Sequence, residues 1–329
     1  MSSEYGIADE AFIEVSVPAS ELCALMSWLS VFEVHDALGI TFHFGPRRQM
    51  VLSAMDTSHI SMFEAFIPFV KESPLLVKDI SLRILAEVDS LMSKATLTCR
   101  SADFVLKFNA CVGSGAGEPI QFLVPVKNWD TTPLTMFHVG GAGDEQFAVE
   151  LSNTLPLQVP TVNAENAMYI GVTREVFTNA LQEIGAIDTK TEPRRLRITA
   201  EPHNHCINLA LSKSEQDAEG NDCSVCASAR WHVPGSKRSM VCGVSDEFFV
   251  DIHPPRLVAL DTHFPGGSVL LRLQPEYVTM FAYPLSDMAP DELADAGLYV
   301  PEGGGGWAED DVPLPFACLC LFVAPMIIT

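Results

Sequence analysis

The chain has 329 residues, 48% of them hydrophobic, a formal net charge of −22 and 9 cysteines. That apolar share supports a packed core, in one large domain or two of ordinary size, and excludes a disordered chain. The negative charge excludes unspecific adhesion to DNA or acidic lipid unless the few basic residues gather on one face, and the odd, irregularly spaced cysteines point to a reducing compartment and free thiols.

The N-terminal MSSEYGIADE has no basic-then-apolar leader pattern, and no uninterrupted apolar run reaches bilayer length, so no membrane association is expected. FIEVSV alternates with period two and predicts a strand. Ser20 then offers a helix cap, with Leu22, Leu25, Met26 and Leu29 on one helical face. ITFHF and MVLSAM are strand-like, the second entering the polar turn Asp56-Thr57-Ser58-His59 before another apolar run. Ile84, Leu85, Val88, Leu91 and Met92 carry helical spacing, followed by the strands ATLTC, FVLKF and FAVEL. After Thr173, Val176, Phe177, Ala180, Leu181 and Ile184 repeat the helical pattern. LRITA, INLAL, FFVDI, VLLRL and VTMFAY are strands. A short helix from Pro254 to His263 opens with Pro-Pro, where proline is tolerated. The final FACLCLFVAPMIIT suits a buried strand better than an anchor. Many short alternating segments with few helices define an α+β, sheet-rich, antiparallel chain.

The order of elements repeats. VKDISLRILAEVDSLMSKATLTCRSADFVLKF, from Val77, and VDIHPPRLVALDTHFPGGSVLLRLQPEYVTMF, from Val250, share Asp-Ile, an Arg before apolar helical positions, a turn and two linked strands. This reads as an internal duplication. It divides the chain into residues 1–150, a Pro-punctuated connector at 151–162 (LSNTLPLQVPTV), and residues 163–329. Gly113–Glu118 and Gly140–Glu145, within about 110–145, and the acidic Gly/Pro-rich Ser286–Pro315 read as loop insertions.

Four constellations bear on chemistry. Asp56, Ser58 and His59 have the residue types of a hydrolase triad, or else cap the amides of a hairpin turn. Triad members converge from separate elements, and no oxyanion or glycine-elbow signature accompanies these. Cys223 and Cys226, with His203, His205, Cys206 and His232, contain zinc-binding residue types. A second CxxC is absent, however, and residues three apart on a strand face opposite ways. GSGAG and VGGAG do not run from a strand into a helix, and Glu309-Asp310-Asp311 lacks EF-hand spacing. No cofactor, metal or catalytic residue is expected.

SAMDTSHISM, from Ser53, resembles the SMDSSHVSL segment of the proliferating cell nuclear antigen family of DNA sliding clamps. Phe322-Val323-Ala324-Pro325-Met326-Ile327 resembles that family's YLAPKI terminus. The two motifs bracket almost the whole duplicated chain, and LSNTLPLQVPTV falls where the family has its interdomain connector. The resemblance implies a clamp fold: two similar domains, antiparallel sheets outside and two helices each inside, closing head to tail into a homotrimeric ring. It implies a non-enzymatic processivity factor on double-stranded DNA, with DNA polymerase, other clamp-binding-peptide proteins and a clamp loader as partners. It also implies a nuclear location, or an intracellular viral replication site for a divergent viral member.

By the same resemblance, an outer apolar pocket takes a client plug with one aliphatic and two aromatic anchors. Its walls would be Met55, His59 and Ile60 from the hairpin, Leu155 and Leu157 from the connector, Pro275, and Phe322, Ala324, Pro325, Met326 and Ile327 from the tail. The strand Asp103–Asn109, with Phe104 and Leu106, would meet a neighbour's Asp222–Trp231, with Val225 and Ala227. DNA would be met by Arg83, Lys94, Arg174 and Arg256 on the inner helices. The sequence departs from the family here, since each expected inner helix sums to −1, and phosphate neutralisation supplies most non-specific DNA affinity. Two other readings stay open: a subunit of a heterotrimeric checkpoint-type clamp, and a monomeric clamp-like polymerase accessory protein.

Overall fold

The computed structural model describes residues 12–32, 34, 38–43, 48–72, 80–85, 96–100, 105–109, 120–125, 136–140, 146–152, 168–183, 194–201, 206–213, 225–232, 240–242, 248–252, 267–274, 278–285 and 316–325. The chain forms two compact units. The first is Met1–Ala54 with Phe66–Gln158, and the second is Met55–Ala65 with Val159–Thr329.

The first unit carries β1 (Phe12–Val17), α1 (Ala19–Phe32), β2 (Leu38–His43), β3 (Gln49–Met55) and the end of β4 (Ser61–Pro68). β5 (Lys71–Glu72), β6 (Ile80–Leu85), β7 (Thr96–Arg100), β8 (Val105–Asn109), β9 (Ile120–Pro125), β10 (Met136–Gly140) and β11 (Gln146–Ser152) follow. One sheet runs β5-β1-β9-β8-β7 and another β10-β11-β6-β2-β3. Leu22, Leu25, Met26 and Leu29 of α1 are buried, as their spacing predicts, with Trp28 and Phe32 ring centroids 5.0 Å apart. Each such leucine contributes about 1.5–3 kcal/mol through burial. Ser20 lies inside the helix and donates its hydroxyl to Glu21 instead of capping, because the first intrahelical bond runs from Leu22 N–H to the Pro18 carbonyl.

Three further expectations are corrected in this unit. Ile84 and Leu85, placed on a helix by their spacing, lie in β6, which pairs antiparallel with β2 and β11 through Ile84↔Leu38 and Ile84↔Val149. ISLRIL alternates as readily as it spirals, and two flanking strands decide for the sheet. β8, expected to meet a neighbouring chain, lies between β7, with which it pairs from Val105 to Asn109, and β9, which it meets at Phe108↔Phe122. Cys23 is disulfide-bonded, against the expectation of free thiols.

The second unit begins with the hairpin residues Met55–Ala65, the start of β4. It continues with β12 (Met168–Thr173), α2 (Arg174–Glu183), β13 (Arg194–Glu201), β14 (Cys206–Lys213), β15 (Val225–His232) and β16 (Met240–Cys242). β17 (Phe248–Ile252), β18 (Ser268–Leu273), β19 (Thr279–Pro284) and β20 (Cys318–Val323) complete it. Its sheets run β4-β20-β19-β18-β12-β16 and β15-β14-β13-β17. β18, β19 and β20 are buried along their whole lengths. On one face α2 packs through Phe177, whose ring lies 6.0 Å from that of Phe281. On the other, Arg272 is buried 6.0 Å from the Phe322 ring, and desolvation lowers its pKa, partly offset by Tyr169.

The duplication is visible strand by strand. β6-β2-β3 in the first unit and β17-β13-β14 in the second have the same antiparallel order, and the β7–β8 hairpin matches β18–β19. The opening strands differ: β1 lies beside β9, whereas β12 lies beside β18.

Candidate functional site

The site is built within the second unit from a hairpin turn and the chain's last described residues. Asp56 closes the turn. Its Oδ1 accepts the Ile60 and Ser61 amides, each at 3.0 Å, and its Oδ2 accepts the Ser58 hydroxyl at 2.5 Å. The Asp56 backbone adds bonds from His59 N–H (3.1 Å) and to the Ser61 carbonyl (2.9 Å). One carboxylate thus satisfies amides that the reversal would strand. The turn also forces His59 to φ +58°, a left-handed conformation that disfavours residues with a Cβ.

This geometry decides between the two readings of the turn. Ser58 bonds Asp56 directly, so no imidazole stands between hydroxyl and carboxylate as a triad relay requires. The residues act as a turn clasp. His59 is exposed at the tip, while Met55 and Ile60 are half-buried.

The tail seals the arrangement. Ala324 N–H donates to the Ile60 carbonyl at 2.9 Å, and Pro325 forms an isolated antiparallel bridge with Ile252 at the end of β17. The half-buried Ala324 and Pro325 therefore link the hairpin turn to the β15-β14-β13-β17 sheet. The structure brings together Met55, His59, Ile60, Ala324 and Pro325, which surround this junction. Phe322 is 3% exposed and packs against Arg272, so it supports the site from below without lining an open surface. Leu155, Leu157, Pro275, Met326 and Ile327 lie outside the described residues, as do Lys94, Arg256 and Phe104. The junction's contact with Ile252 was not read from sequence. The alternation in FFVDI marks a strand, but nothing in it names the tail as partner.

Arg174 differs from expectation. It is 4% exposed, donates from Nη2 to the Pro284 carbonyl at 3.0 Å, and lies 5.9 Å from the Tyr283 ring centroid. Its amide also bonds the Gly267 carbonyl at 3.0 Å. The guanidinium is turned into the fold. The exposed positions of α2 are instead Glu175, Val176, Asn179, Gln182 and Glu183, two carboxylates and no cation. Arg83 sits on β6 and not on an inner helix.

Leu106 lies on the interior strand β8, whereas Val225 and Ala227 lie on β15, the terminal strand of its sheet. His203, His205 and Cys223 of the Cys/His cluster fall outside the described residues; Cys206 is buried opposite His232. Among the described residues no group of three His, Cys, Asp or Glu could hold a metal ion, and no helix is long and apolar enough to cross a membrane.

Comparison with solved structures defines the class of protein: an antiparallel, duplicated chain with the DNA sliding-clamp fold. Within that class the likeness is to proliferating cell nuclear antigen (PCNA). The PCNA2–PCNA3 complex of Sulfolobus tokodaii matches with a TM-score of 0.50 at 12% identity, over 95% of this chain and 98% of that one. PCNA of Thermococcus kodakaraensis matches at 0.48 and 12% identity, over 95% and 100% of the two chains. That of Entamoeba histolytica matches at 0.46 and 12%, over 96% and 99%. No family model matches the sequence, and no curated protein matches it either.

Proposed function

We propose that the chain is a sliding-clamp subunit, a non-enzymatic tether that holds a polymerase and other DNA-processing proteins at double-stranded DNA. The observation that carries this is the Ile60–Ala324 hydrogen bond together with the Pro325–Ile252 bridge. They fix an exposed hairpin tip against the last strand, where a clamp grips its clients. Half-buried Met55, Ile60, Ala324 and Pro325 offer apolar walls for client anchors, and exposed His59 offers an orienting polar group.

Hold on DNA is topological here, more than electrostatic. Arg174 faces inward and the exposed positions of α2 carry two carboxylates, so encirclement, set up by a loader, replaces much of the usual phosphate contact. The test joins two measurements: solution mass, and polymerase product length with and without the Ile60→Ala variant. Three chains per particle and shorter products with Ile60→Ala support the proposal. A monomer that never lengthens polymerase products overturns it.

A heteromeric ring is the second reading. The Sulfolobus tokodaii match is a complex of two different clamp chains, and β8, expected to pair with an identical neighbour, lies between two strands of its own sheet. A stable monomer or dimer that completes a three-membered ring only with a second clamp chain favours this reading.

A further inference from the structure

Phe249 on β17 is 50% exposed, although the sheet around it is well ordered by pairing. Its ring is backed by the Arg197 guanidinium, 4.2 Å from the ring centroid. Arg197 is itself fixed: Nε and Nη2 donate to Asp251 Oδ1 and Oδ2, both at 2.8 Å, and Asp251 is 7% exposed. A bidentate pair on a buried carboxylate holds the guanidinium in one plane. Phe249 is therefore a pre-oriented aromatic platform, with one ring face backed by Arg197 and about half of the residue exposed. Pre-organisation of this kind lowers the entropy lost on binding.

Its position supplies the occupant. β17 is the terminal strand of its sheet, and Ile252, three residues from Phe249, is bridged by Pro325 of the client junction. Three residues of strand span roughly 10 Å. We propose that Phe249 is an outlying anchor point for client peptides: about three extended residues beyond the core plug, an aromatic or leucine side chain stacks on its open face. This rests on the clamp reading above. The pair with Asp251 neutralises Arg197, so the platform is locally neutral and suits an uncharged aromatic or leucine side chain. The chain's net charge of −22 disfavours a nucleobase carrying its phosphate as the occupant.

The experiment uses fluorescence anisotropy with the full chain and three synthetic peptides. One carries only an aliphatic and two aromatic anchors. The others add a tryptophan three residues beyond its N- or C-terminal end. One extended peptide binds about tenfold tighter than the core peptide. Phe249→Ser removes that gain and leaves core affinity unchanged, whereas Phe249→Trp retains it. Extension without gain, or a gain that survives Phe249→Ser, overturns the inference while leaving the clamp reading intact. So does a single-stranded oligonucleotide whose binding Phe249→Ser abolishes. A core peptide that does not bind at all overturns the clamp reading, and this inference with it.

Discussion

The amide of Ala324 and the carbonyl of Ile60 meet at 2.9 Å, joining the end of the last strand to the first turn of the second unit. The bond can form only if Ile60 presents its carbonyl outward from the hairpin. That orientation is set by Asp56, which holds the Ile60 and Ser61 amides from the opposite side. Local turn chemistry and a long-range tail contact therefore depend on one carboxylate.

Asp56→Ala leaves three donors without their acceptor. We expect a loss of about 1–3 kcal/mol in urea unfolding and weaker binding of a core client peptide. Asp56→Asn, which keeps one carbonyl acceptor, should lose less. An unchanged midpoint in both variants rules out the clasp.

His59 offers the reverse test, since its φ of +58° is a glycine conformation. His59→Gly should be neutral or stabilising by up to about 1 kcal/mol, and His59→Val should destabilise by more than about 1 kcal/mol, because a β-branched residue resists positive φ. Peptide affinity should fall in both variants if the imidazole orients the client. Equal unfolding midpoints for the two would show that the turn imposes no such backbone.

Arg174→Ala separates a structural cation from a DNA contact. The Pro284 carbonyl loses a charged donor, so stability should drop by about 1.5–3 kcal/mol. The slope of DNA affinity against salt should stay the same. A slope reduced by about one unit would place the guanidinium on a phosphate.

Glu64 links stability to pH. Burial beside β20 raises its pKa from 4.5 to about 7. The folded state then binds more protons than the unfolded state between those values, so its contribution is complete below pH 4.5 and is lost as pH rises through 7. Glu64→Gln should flatten that fall and raise stability at pH 8 by about 1–2 kcal/mol, after allowance for the water that reaches this half-buried group. Parallel pH–stability curves for the two proteins would contradict the assignment.

Cys318 and Cys320 are free and buried on β20, and the Cys320 thiol is pushed well above its usual range, first by its hydrogen bond with Cys318 and then by burial. Both should resist maleimide until the chain unfolds, making their labelling rate a reporter of global opening. Rapid labelling in native buffer would mean that β20 opens locally.

Much of this was legible in residue order. The spacing of Leu22, Leu25, Met26 and Leu29 gives α1 because a 3.6 period and burial coincide there. Asp56-Thr57-Ser58-His59 gives the turn through side chains that bond their own backbone. The failures share a cause. Ile84 and Leu85 were ambiguous because a short apolar run fits either period, and pairing with β2 and β11 settled it. Whether β8 is an edge depends on which strands flank it, and no local pattern encodes that. Arg174 opens a helix, where sequence fixes the charge but not its direction; the Pro284 carbonyl drew it inward.

The allocation of Met55–Ala65 to the second unit has a consequence for anyone dissecting the chain. The polypeptide passes between its units at three points in sequence, after Ala54, after Ala65 and after Gln158. A fragment starting at Val159 would lack the strand that flanks β20, baring a row of unsatisfied amides and carbonyls on an apolar ribbon. Such a piece would self-associate, whereas a protease nick at Gln158 in the folded protein would leave Val159–Thr329 a separate polypeptide still paired, through β20, with β4 of the other fragment.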